Sequence, residues 1–238
     1  MRLLDLFCGA GGAAVGYHRA GFDEIVGVDI NPQPHYPFEY IRGDALAVLS
    51  WIIKHGTIKV RINGMEKEYG PFDAICGSPP CQFHTTLSSR WRGKSTLVDQ
   101  HLNLLQPSLD LLRISPYPYV IENVVGARKW MRDPIVLHGG MFHLGVHRPR
   151  LFEASFPVFV RHAEKAKKFI GVYGARPDGR LLNSRTPKNR AALGLSAGQA
   201  AMGIDWMPWS SLTQAIPPAY TDYIGTQLLA HLRKQAVA

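Results

Sequence analysis

The sequence contains little cysteine, few acidic residues and no long apolar run. Three cysteines in 238 residues cannot form the dense disulfide framework that holds small secreted domains together. No stretch approaches the length of a membrane-spanning helix, which is about 18 consecutive apolar residues. Met1 is followed by no cationic segment that leads into an apolar run, as a secretory signal would require. These absences predict a soluble protein of the reducing cytoplasm that does not associate with membranes.

The composition is that of a folded domain. Hydrophobic residues make up 46% of the chain and charged residues 19%, which excludes intrinsic disorder and a collagen-like repeat. A chain of 238 residues can bury one sizeable core and has room for a small appendage, but it is short for two full domains.

Positive charge is concentrated in two segments. The chain has 27 Lys and Arg against 18 Asp and Glu, a formal net charge of +9. Residues 151–190 carry a net charge of +6 and residues 82–95 a net charge of +3, so the remainder is neutral in sum. Lys and Arg side chains that contact phosphates supply much of the sequence-independent affinity for nucleic acid. The distribution favours a polyanionic partner, and the alternative is a charged surface that only keeps the protein soluble.

Short apolar runs alternate with helical patterns up to residue 125. Strands are predicted at residues 2–7, 24–29, 38–42, 72–76 and 119–124, and helices at residues 13–20, 45–55, 101–114, 196–202 and 219–234. Strands separated by single helices indicate right-handed crossovers, and therefore an α/β fold with a mostly parallel sheet. Asn63-Gly64 between two alternating segments predicts a β-hairpin, which we interpret as a surface excursion without chemistry.

Glycines, prolines and basic residues become frequent after the last of these strands. We predict a main α/β domain at residues 1–145, a small basic lobe at residues 146–205, and a C-terminal segment at residues 206–238 that returns to the main domain.

The first predicted strand runs into a glycine turn, Phe7-Cys8-Gly9-Ala10-Gly11-Gly12. Glycines let a ligand approach backbone amides at a helix N-terminus. Asp29 ends the next strand, at a distance along the chain where an acid commonly binds a ribose hydroxyl in nucleotide-binding α/β folds. The pattern favours a nucleoside-bearing cofactor without saying which one. The alternative is a tight turn with a structural role only.

Cys81 follows a predicted buried strand, in the sequence Gly77-Ser78-Pro79-Pro80-Cys81-Gln82. The carboxyl ends of parallel strands form the ligand crevice, so Cys81 should share that edge with the glycine turn. Two prolines fix the backbone before the thiol, and a thiol in an electropositive setting becomes a nucleophile readily. We interpret Cys81 as a candidate nucleophile, and Cys8 and Cys76 as small buried apolar side chains.

Two further segments carry charges that a buried site could use. Glu122 and Asn123 interrupt a strongly apolar strand. An unpaired buried carboxyl is unfavourable, so Glu122 is either paired with an arginine or partly protonated, and a raised pKa would let it donate a proton near neutral pH. Arg148 and Arg150 are separated by one proline, and paired guanidinium groups can orient a carboxylate, a base edge or a phosphate. The alternative for Glu122 is a structural salt bridge.

The histidines do not form a metal-binding pattern. His138, His143 and His147 lie near one another in the sequence, but their spacing matches no familiar zinc site and no cysteine lies close by. We predict no metal.

Taken in order, these segments resemble the blocks of the cytosine-C5 DNA methyltransferase family, which uses S-adenosylmethionine. The likeness spans nearly the whole chain, in a compact form with a short target-recognition region. It implies the class I methyltransferase fold, a Rossmann-like, mostly parallel sheet with a small basic second lobe. Residues 1–145 would then be the catalytic, cofactor-binding domain, and residues 146–205 the target-recognition lobe.

The resemblance implies three sets of site residues. The catalytic set is Cys81, Glu122, Arg148 and Arg150. The cofactor-binding set is Phe7, Gly9, Ala10, Gly11, Gly12, Asp29, Ile30, Asp44, Pro80 and Gln214. The nucleic-acid-binding set is Gln82, Ser88, Arg90, Arg92, Lys94, Lys167, Lys168 and Arg185. Within the last set, the basic segment at residues 83–95 would close over the nucleic acid as a lid.

The implied reaction is methylation of a cytosine that has been turned out of double-stranded DNA. Cys81 would add to C6 of the base while Glu122 hydrogen-bonds or protonates N3, which makes C5 able to accept the methyl group. Arg150 would hold the O2 side of the base and the Glu122 carboxyl, and Arg148 is a second candidate for this contact. The expected setting is a restriction-modification system or a phage, in the cytoplasm of a bacterial or phage-infected cell.

The chain departs from the family pattern at three places. The Pro-Gln that usually precedes the arginine pair is absent after Val146, which bears on the placement of the arginines. Thr213-Gln214 stands where Gly-Asn is usual, which bears on the cofactor contact of Gln214. The stretch between the arginine pair and the C-terminal block is very short. The protein should therefore read few base pairs itself or need a partner protein for target recognition.

Other functions fit parts of the sequence. A transfer-RNA cytosine-C5 methyltransferase would share the pattern, and an altered cofactor would transfer a modified group. A catalytically inactive nucleic-acid-binding module is a third alternative, against which the presence of both Cys81 and Glu122 argues. A nicotinamide-dependent oxidoreductase would use the glycine turn, but it leaves Cys81 and the basic lobe unexplained.

Overall fold

Seven strands form one central sheet, and helices cover both of its faces. The computed structural model describes residues 1–62, 64–81, 103–160, 169–174, 190–191 and 194–236. In chain order the described strands are β1 Arg2–Leu6, β2 Glu24–Asp29, β3 Glu39–Arg42, β4 Ile58–Ile62, β5 Met65–Tyr69, β6 Ala74–Gly77, β7 Tyr119–Val124, β8 Ile135–Leu137, β9 Arg150–Ala154, β10 Ile170–Gly171 and β11 Arg190–Ala191. The described α-helices are α1 Gly12–Ala20, α2 Ala45–His55, α3 Leu105–Ile114, α4 Leu195–Met202, α5 Trp209–Leu212 and α6 Pro218–Gln235, and two 3-10 helices span Val125–Trp130 and Gly139–Phe142.

The strand order across the central sheet is β3-β2-β1-β6-β7-β9-β8. The first five strands in this order are parallel to one another, whereas β9 runs antiparallel to both of its neighbours. The strands that follow β1 in the chain, β2 and β3, lie on one side of it in the sheet, and the later strands β6 and β7 lie on the other side. The direction in which strands are added to the sheet therefore reverses beside β1. This is the point at which open α/β sheets bind ligands. The predicted α/β fold with a mostly parallel sheet is confirmed.

Each face of the sheet packs against its own helices, because successive side chains of a strand point to opposite faces. On β1, Leu3 is buried in the cluster that contains residues of α1 and α6. Leu4 and Leu6 are buried in the cluster that contains residues of α2 and α3. Asp5 points to the same face as Leu3 and is fully buried. An ionisable residue, Asp5, therefore occupies a position at which the alternation along β1 predicts an apolar side chain.

Most predicted boundaries agree with the structure to within a few residues. Strands β2 and β7 and helix α2 have the predicted bounds, and β4 pairs with β5 as the predicted hairpin. Helix α3 begins at Leu105, whereas the predicted start at residue 101 lies outside the described residues. Strands β8, β10 and β11 were not predicted. They contain only two or three residues, too few for the alternation that reveals a strand.

A third group of buried residues lies beside the sheet. It joins Val146 and Val172 to residues of α4 and α5, and it touches the glycine turn through Ala10. Strand β9 falls within the predicted lobe at residues 146–205 but belongs to the central sheet, because it pairs with β7 and β8 and its Leu151 is buried in the core on one face of the sheet. Its five residues are therefore part of the main layer. The domain boundaries otherwise remain a prediction.

None of the described helices is both long enough and apolar enough to cross a membrane.

Candidate active site

The sheet topology brings the predicted catalytic and cofactor-binding segments to one edge. The carboxyl ends of β1, β2, β6 and β7 lie side by side, as the pairing of Leu6 with Val28 and Gly77 illustrates. Because β9 is antiparallel, its first residue, Arg150, lies at this same edge, opposite Val124 of β7. The glycine turn, Asp29, Cys81, Glu122 and the arginine pair therefore follow or begin strands at a common crevice.

Glu122 is a buried carboxyl beside an arginine. Its side chain lies at the end of β7, and the residue is 7% exposed. Oε1 of Glu122 lies 2.9 Å from Nε of Arg150, which forms an ion pair. The same Oε1 atom receives no hydrogen bond with suitable geometry from the described residues. Burial raises the pKa of Glu122, and the charges of Arg150 and Arg148 partly oppose this rise.

Cys81 shares this site with Glu122. The residue is half-buried, whereas Cys8 and Cys76 are buried, as predicted. Burial raises the pKa of the Cys81 thiol and the charge of Glu122 raises it further, while Arg150 and Arg148 lower it. Charges interact over several ångströms, so the carboxyl and guanidinium groups influence the ionisation of the thiol. The predicted nucleophile follows β6 and the predicted acid lies near the end of β7, so both lie at the same edge of adjacent parallel strands.

Asn123 fixes the segment that carries Cys81. Its side chain is fully buried, and Nδ2 donates a hydrogen bond of 3.0 Å to the carbonyl oxygen of Pro79. Its Oδ1 accepts a hydrogen bond of 3.0 Å from the backbone amide of Val124. Sequence reasoning noted the amide but gave it no role. The signal available was a second polar residue within an apolar strand, directly after Glu122.

The two arginines have different surroundings. Arg148 donates from Nε to the carbonyl oxygen of Ala215 at 2.8 Å, from Nη1 to that of Val172 at 3.2 Å and from Nη2 to that of Thr213 at 2.7 Å. Its own carbonyl accepts a hydrogen bond of 2.9 Å from the hydroxyl of Tyr220. Arg148 therefore joins the arginine pair to the C-terminal block. Only Arg150 forms an ion pair with Glu122 among the described residues.

The glycine turn is held by contacts from three other segments. Nε1 of Trp206 donates a hydrogen bond of 2.9 Å to the carbonyl oxygen of Ala10. A Cβ on Gly11 would lie 2.6 Å from Cδ of Pro37, and a Cβ on Gly12 would lie 2.4 Å from the carbonyl oxygen of Ile216. The turn therefore admits no larger residue at either position. Sequence reasoning missed Trp206, which is distant in the chain and belongs to no recognisable motif.

The open side of the turn faces Asp29. The backbone amide of Gly9 donates a hydrogen bond of 3.1 Å to Oδ2 of Asp29, and the amide of Asn31 donates one of 2.9 Å to Oδ1. A Cβ on Gly9 would meet no atom within 4 Å, so the space over this glycine is open. Ile30 is 65% exposed next to the carboxylate. The arrangement offers a carboxylate, an apolar surface and an accessible backbone, which fits a nucleoside.

The remaining predicted cofactor contacts differ in exposure. Phe7 begins the turn with a φ of 56° and is half-buried. Asp44 is exposed at the N-terminus of α2, where its Oδ1 accepts hydrogen bonds from the amides of Leu46 and Ala47. Pro80 is exposed before Cys81, and Gln214 is exposed two residues before Ile216.

The predicted nucleic-acid-binding residues all lie outside the described residues: Gln82, Ser88, Arg90, Arg92, Lys94, Lys167, Lys168 and Arg185. Within the part of the chain that the structure describes, no group of three or more His, Cys, Asp or Glu side chains could hold a metal ion.

Comparisons with known proteins identify the family and the fold. A family model for C-5 cytosine-specific DNA methylase matches residues 1–129, more than half of the chain. Type II methyltransferase M.AquIA of Picosynechococcus sp. is 29% identical over 143 residues, which cover 55% of this chain and 51% of that protein. Type II methyltransferase M.XorII of Xanthomonas oryzae pv. oryzae is 30% identical over 125 residues, which cover 52% of this chain and 28% of that protein.

A solved structure supports the same assignment of the fold. It is a prophage-encoded E. coli protein described as a candidate DNA modification methyltransferase, and it matches with a TM-score of 0.57 at 16% identity. The match covers 98% of this chain and 99% of that chain, and the shared fold is the class I methyltransferase fold that was predicted. The family match includes the glycine turn, Cys81 and Glu122, but ends before the arginine pair. The chain belongs to the C-5 cytosine-specific DNA methylase family.

Proposed function

We propose that the chain transfers a methyl group from S-adenosylmethionine to C5 of cytosine in double-stranded DNA. The observation that carries the proposal is that the buried Glu122 carboxyl pairs with the Arg150 guanidinium at the carboxyl edge of the sheet, the edge at which Cys81 follows β6. Family membership supports the reaction class. The chain matches about half of M.AquIA and less of M.XorII, so the activity of the whole protein is itself part of the proposal.

The glycine turn and the end of β2 would hold the cofactor. Asp29 would accept hydrogen bonds from the ribose, and Ile30 would cover the adenine with its exposed side chain. The accessible backbone of Gly9 supports this placement. The bound cofactor supplies an electrophilic methyl group. The other proposed contacts are Phe7, Ala10, Gly11, Gly12, Asp44, Pro80 and Gln214.

Cys81 would act as the nucleophile. Its sulfur, once deprotonated, bonds to C6 of the cytosine ring, and the electron pair of the C5–C6 double bond becomes available at C5. After C5 has gained the methyl group and lost its proton to a base from solvent, the double bond forms again and the carbon–sulfur bond breaks. The hydrogen bond from Asn123 to Pro79 would keep the thiol at a fixed place during both steps.

Glu122 would balance the charge that addition of the thiolate places on the ring. A neutral carboxyl can donate a hydrogen bond or a proton to N3, and the raised pKa of Glu122 favours this neutral form. Arg150 would hold the carboxyl and the O2 side of the base. Arg148 would position Arg150 through its three carbonyl contacts rather than touch the base.

The ionisation of Cys81 would depend on whether a base is bound. The negative charge of Glu122 raises the pKa of the thiol. Where Glu122 is ionised, a proton taken up from solvent and shared between the carboxyl and N3 of a bound base would remove this charge, and Arg150 and Arg148 would then favour the thiolate. The thiol would therefore ionise more readily when a cytosine occupies the site than in the base-free protein.

The reacting base would leave the duplex, because C5 and C6 are not accessible within the base stack. The basic segments at residues 82–95 and 151–190 would bind phosphates. A lobe within residues 146–205 is short for reading a long target, so a partner protein would supply further recognition. The bacterial relatives support a cytoplasmic setting.

A methyl-transfer assay tests the proposal. Purified protein is incubated with duplex DNA and with S-adenosylmethionine that is isotopically labelled in its methyl group, and the digested DNA is examined by mass spectrometry. We expect labelled 5-methyl-2′-deoxycytidine from the unmodified protein, and none from Cys81→Ser, which should still bind DNA. Absence of label across duplexes of varied sequence and salt concentration would contradict the proposal. Label in transfer RNA but not in DNA would replace the proposed substrate.

A further inference from the structure

We infer that Tyr36 is a positioning residue for the cofactor, because its hydrogen bond to Asp5 ties the segment after β2 to the strand that carries the glycine turn. The segment in question is residues 30–38, the loop that begins beside Asp29 and leads to β3. The inference rests on the proposed function for the identity of the cofactor. The contact itself is a property of the folded chain.

Tyr36 reaches the centre of the sheet from a surface loop. Its residue is 9% exposed, and its hydroxyl donates a hydrogen bond of 3.1 Å to Oδ2 of Asp5. Asp5 is fully buried on β1, two residues before Phe7. Its other oxygen, Oδ1, accepts a hydrogen bond of 3.4 Å from Sγ of Cys76 on β6. Both oxygens of the carboxyl are therefore engaged, which is typical of an anchor rather than of a reacting group.

Two glycines leave the space that the Tyr36 ring fills. A Cβ on Gly27 of β2 would lie 2.5 Å from Cζ of the ring, which is closer than such atoms can approach. A Cβ on Gly11 would lie 3.1 Å from Cδ2 of the same ring. The Tyr36 ring thus packs on β2 through Cζ and on the glycine turn through Cδ2. Neither neighbour could be larger without moving the loop.

The position of this loop sets the position of the cofactor-binding groups. Asp29 and Ile30 stand where β2 passes into the loop, and Asp29 faces the amide of Gly9. Tyr40, beyond the loop, donates a hydrogen bond of 3.1 Å to the carbonyl oxygen of Asp29. Tyr36 supplies the one described side-chain hydrogen bond from residues 30–38 to β1. Its loss should let the loop and the glycine turn move apart.

Tyr36→Phe tests the inference because it keeps the ring and removes only the hydroxyl. Tyr69→Phe is the matched control. Tyr69 is also buried, and its hydroxyl also donates to a carboxylate, Oε2 of Glu39 at 3.0 Å, but it lies on the hairpin strand β5. The first measurement is the dissociation constant of S-adenosylhomocysteine by calorimetry. We expect about tenfold weaker binding for Tyr36→Phe and an unchanged constant for Tyr69→Phe.

Hydrogen exchange of the cofactor-free protein gives a second readout that does not depend on the proposed cofactor. We expect faster exchange at residues 30–38 and 7–12 in Tyr36→Phe, and unchanged exchange there in Tyr69→Phe. In the methyl-transfer assay, KM for the cofactor should rise while kcat stays near the unmodified value. Failure of the unmodified protein to bind S-adenosylhomocysteine would count against the proposed function, and the exchange data would still decide the role of Tyr36.

Asp5 variants separate the hydrogen bond from general damage to the fold. Asp5→Asn keeps an acceptor for the Tyr36 hydroxyl and should bind S-adenosylhomocysteine nearly as well as the unmodified chain. Asp5→Ala should resemble Tyr36→Phe, and the double variant should be no worse than either single one. Binding within about twofold of the unmodified chain for Tyr36→Phe, together with unchanged exchange, would overturn the inference. So would additive losses in the double variant.

Discussion

Nε of Arg150 lies 2.9 Å from Oε1 of Glu122, yet this oxygen receives no hydrogen bond of suitable geometry from the described residues. A buried carboxyl usually has all its oxygens satisfied, because a missing partner costs about 1–3 kcal/mol. Glu122 is thus charge-balanced by Arg150 but still able to engage a further polar group. In the proposed reaction, that group is the edge of a cytosine.

The three cysteines should differ sharply in reactivity. Burial raises the pKa of all three thiols, but Cys81 is only half-buried and the charges of Arg150 and Arg148 oppose the rise, whereas Cys8 and Cys76 are buried and the charge of Asp5 adds to it. Brief treatment of the folded protein with iodoacetamide should therefore modify Cys81 alone, as peptide mass spectrometry would report. Cys81→Ser should take up no label until it is denatured. Modification of Cys8 or Cys76 at a comparable rate would contradict the described burial.

The same thiol should form a covalent complex with a substrate analogue. Duplex DNA that contains 5-fluorocytosine carries fluorine in place of the C5 hydrogen, so the elimination step that frees the enzyme is blocked. With S-adenosylmethionine present, we expect a denaturation-resistant complex for the unmodified protein and none for Cys81→Ser. Non-covalent DNA binding by Cys81→Ser serves as the control for folding.

Glu122 should control the ionisation of Cys81. Its negative charge raises the pKa of the thiol, so Glu122→Gln should lower that pKa and make Cys81 alkylate faster at neutral pH. Arg150→Gln removes a charge that lowers the same pKa, and should shift it upward. The rate of alkylation as a function of pH measures both shifts without any substrate. Equal profiles for the two variants would show that the groups do not share one site.

Methyl transfer by Glu122→Gln should be slower despite the more reactive thiol. Loss of a positioned general acid typically lowers the rate by about a hundredfold to ten-thousandfold. A faster alkylation together with slower methyl transfer would separate the role of Glu122 toward the base from its effect on the sulfur. An unchanged kcat would remove Glu122 from the proposed mechanism.

Lysine substitutions should show that Arg148 mainly stabilises the fold and that Arg150 mainly serves methyl transfer. Arg148→Lys keeps the charge but cannot donate to three carbonyls in fork geometry, so the free energy of unfolding should fall by about 2–3 kcal/mol. Arg150→Lys keeps a cation beside Glu122 and should change that free energy by less than about 1 kcal/mol, but it should slow methyl transfer. Urea unfolding and the methyl-transfer assay provide the two measurements. The opposite ranking in stability would contradict this division of roles.

The fold could be predicted because local patterns and global topology agree in the first half of the chain. The glycine after each early helix, the alternating β4–β5 hairpin and the apolar runs of β2 and β7 each specify one local structure. Cys81 and Glu122 could be predicted because parallel strands deliver their carboxyl ends to one edge. That rule needs no knowledge of side-chain contacts.

Contacts between distant segments could not be predicted in this way. Trp206 and Ala10 are 196 residues apart, and Arg148 reaches carbonyls about a quarter of the chain away, at Thr213 and Ala215. These bonds use backbone carbonyls, which every residue has, so no residue type marks the acceptor. For the same reason the sequence kept Arg148 as a second candidate for the contact assigned to Arg150. The difference between them arises only from the packing of the C-terminal block.

Asp5 should make stability depend on pH. Burial raises its pKa from 3.8 to about 7, although the hydrogen bonds from Cys76 and Tyr36 oppose the rise. Between these two pH values the folded state binds a proton that the unfolded state has lost, so the free energy of unfolding falls as the pH rises. Below pH 3.8 Asp5 is protonated in both the folded and the unfolded state and adds no pH dependence. Above about pH 7 it is ionised in both states, and the cost of burying its charge lowers the free energy of unfolding in full. This pKa shift corresponds to a decrease of roughly 4 kcal/mol in the free energy of unfolding across the interval.

Asp5→Asn removes this titration while it keeps an acceptor for the hydroxyl of Tyr36. The variant should gain stability relative to the unmodified chain as the pH rises from 3.8 to about 7, with the largest difference at the alkaline end. Besides Tyr36 and Cys76, the titratable groups that interact with Asp5 are Asp29, Cys8 and Tyr17. Urea unfolding at a series of pH values measures the difference. Parallel stability profiles for Asp5→Asn and the unmodified chain would mean that Asp5 does not titrate in this interval.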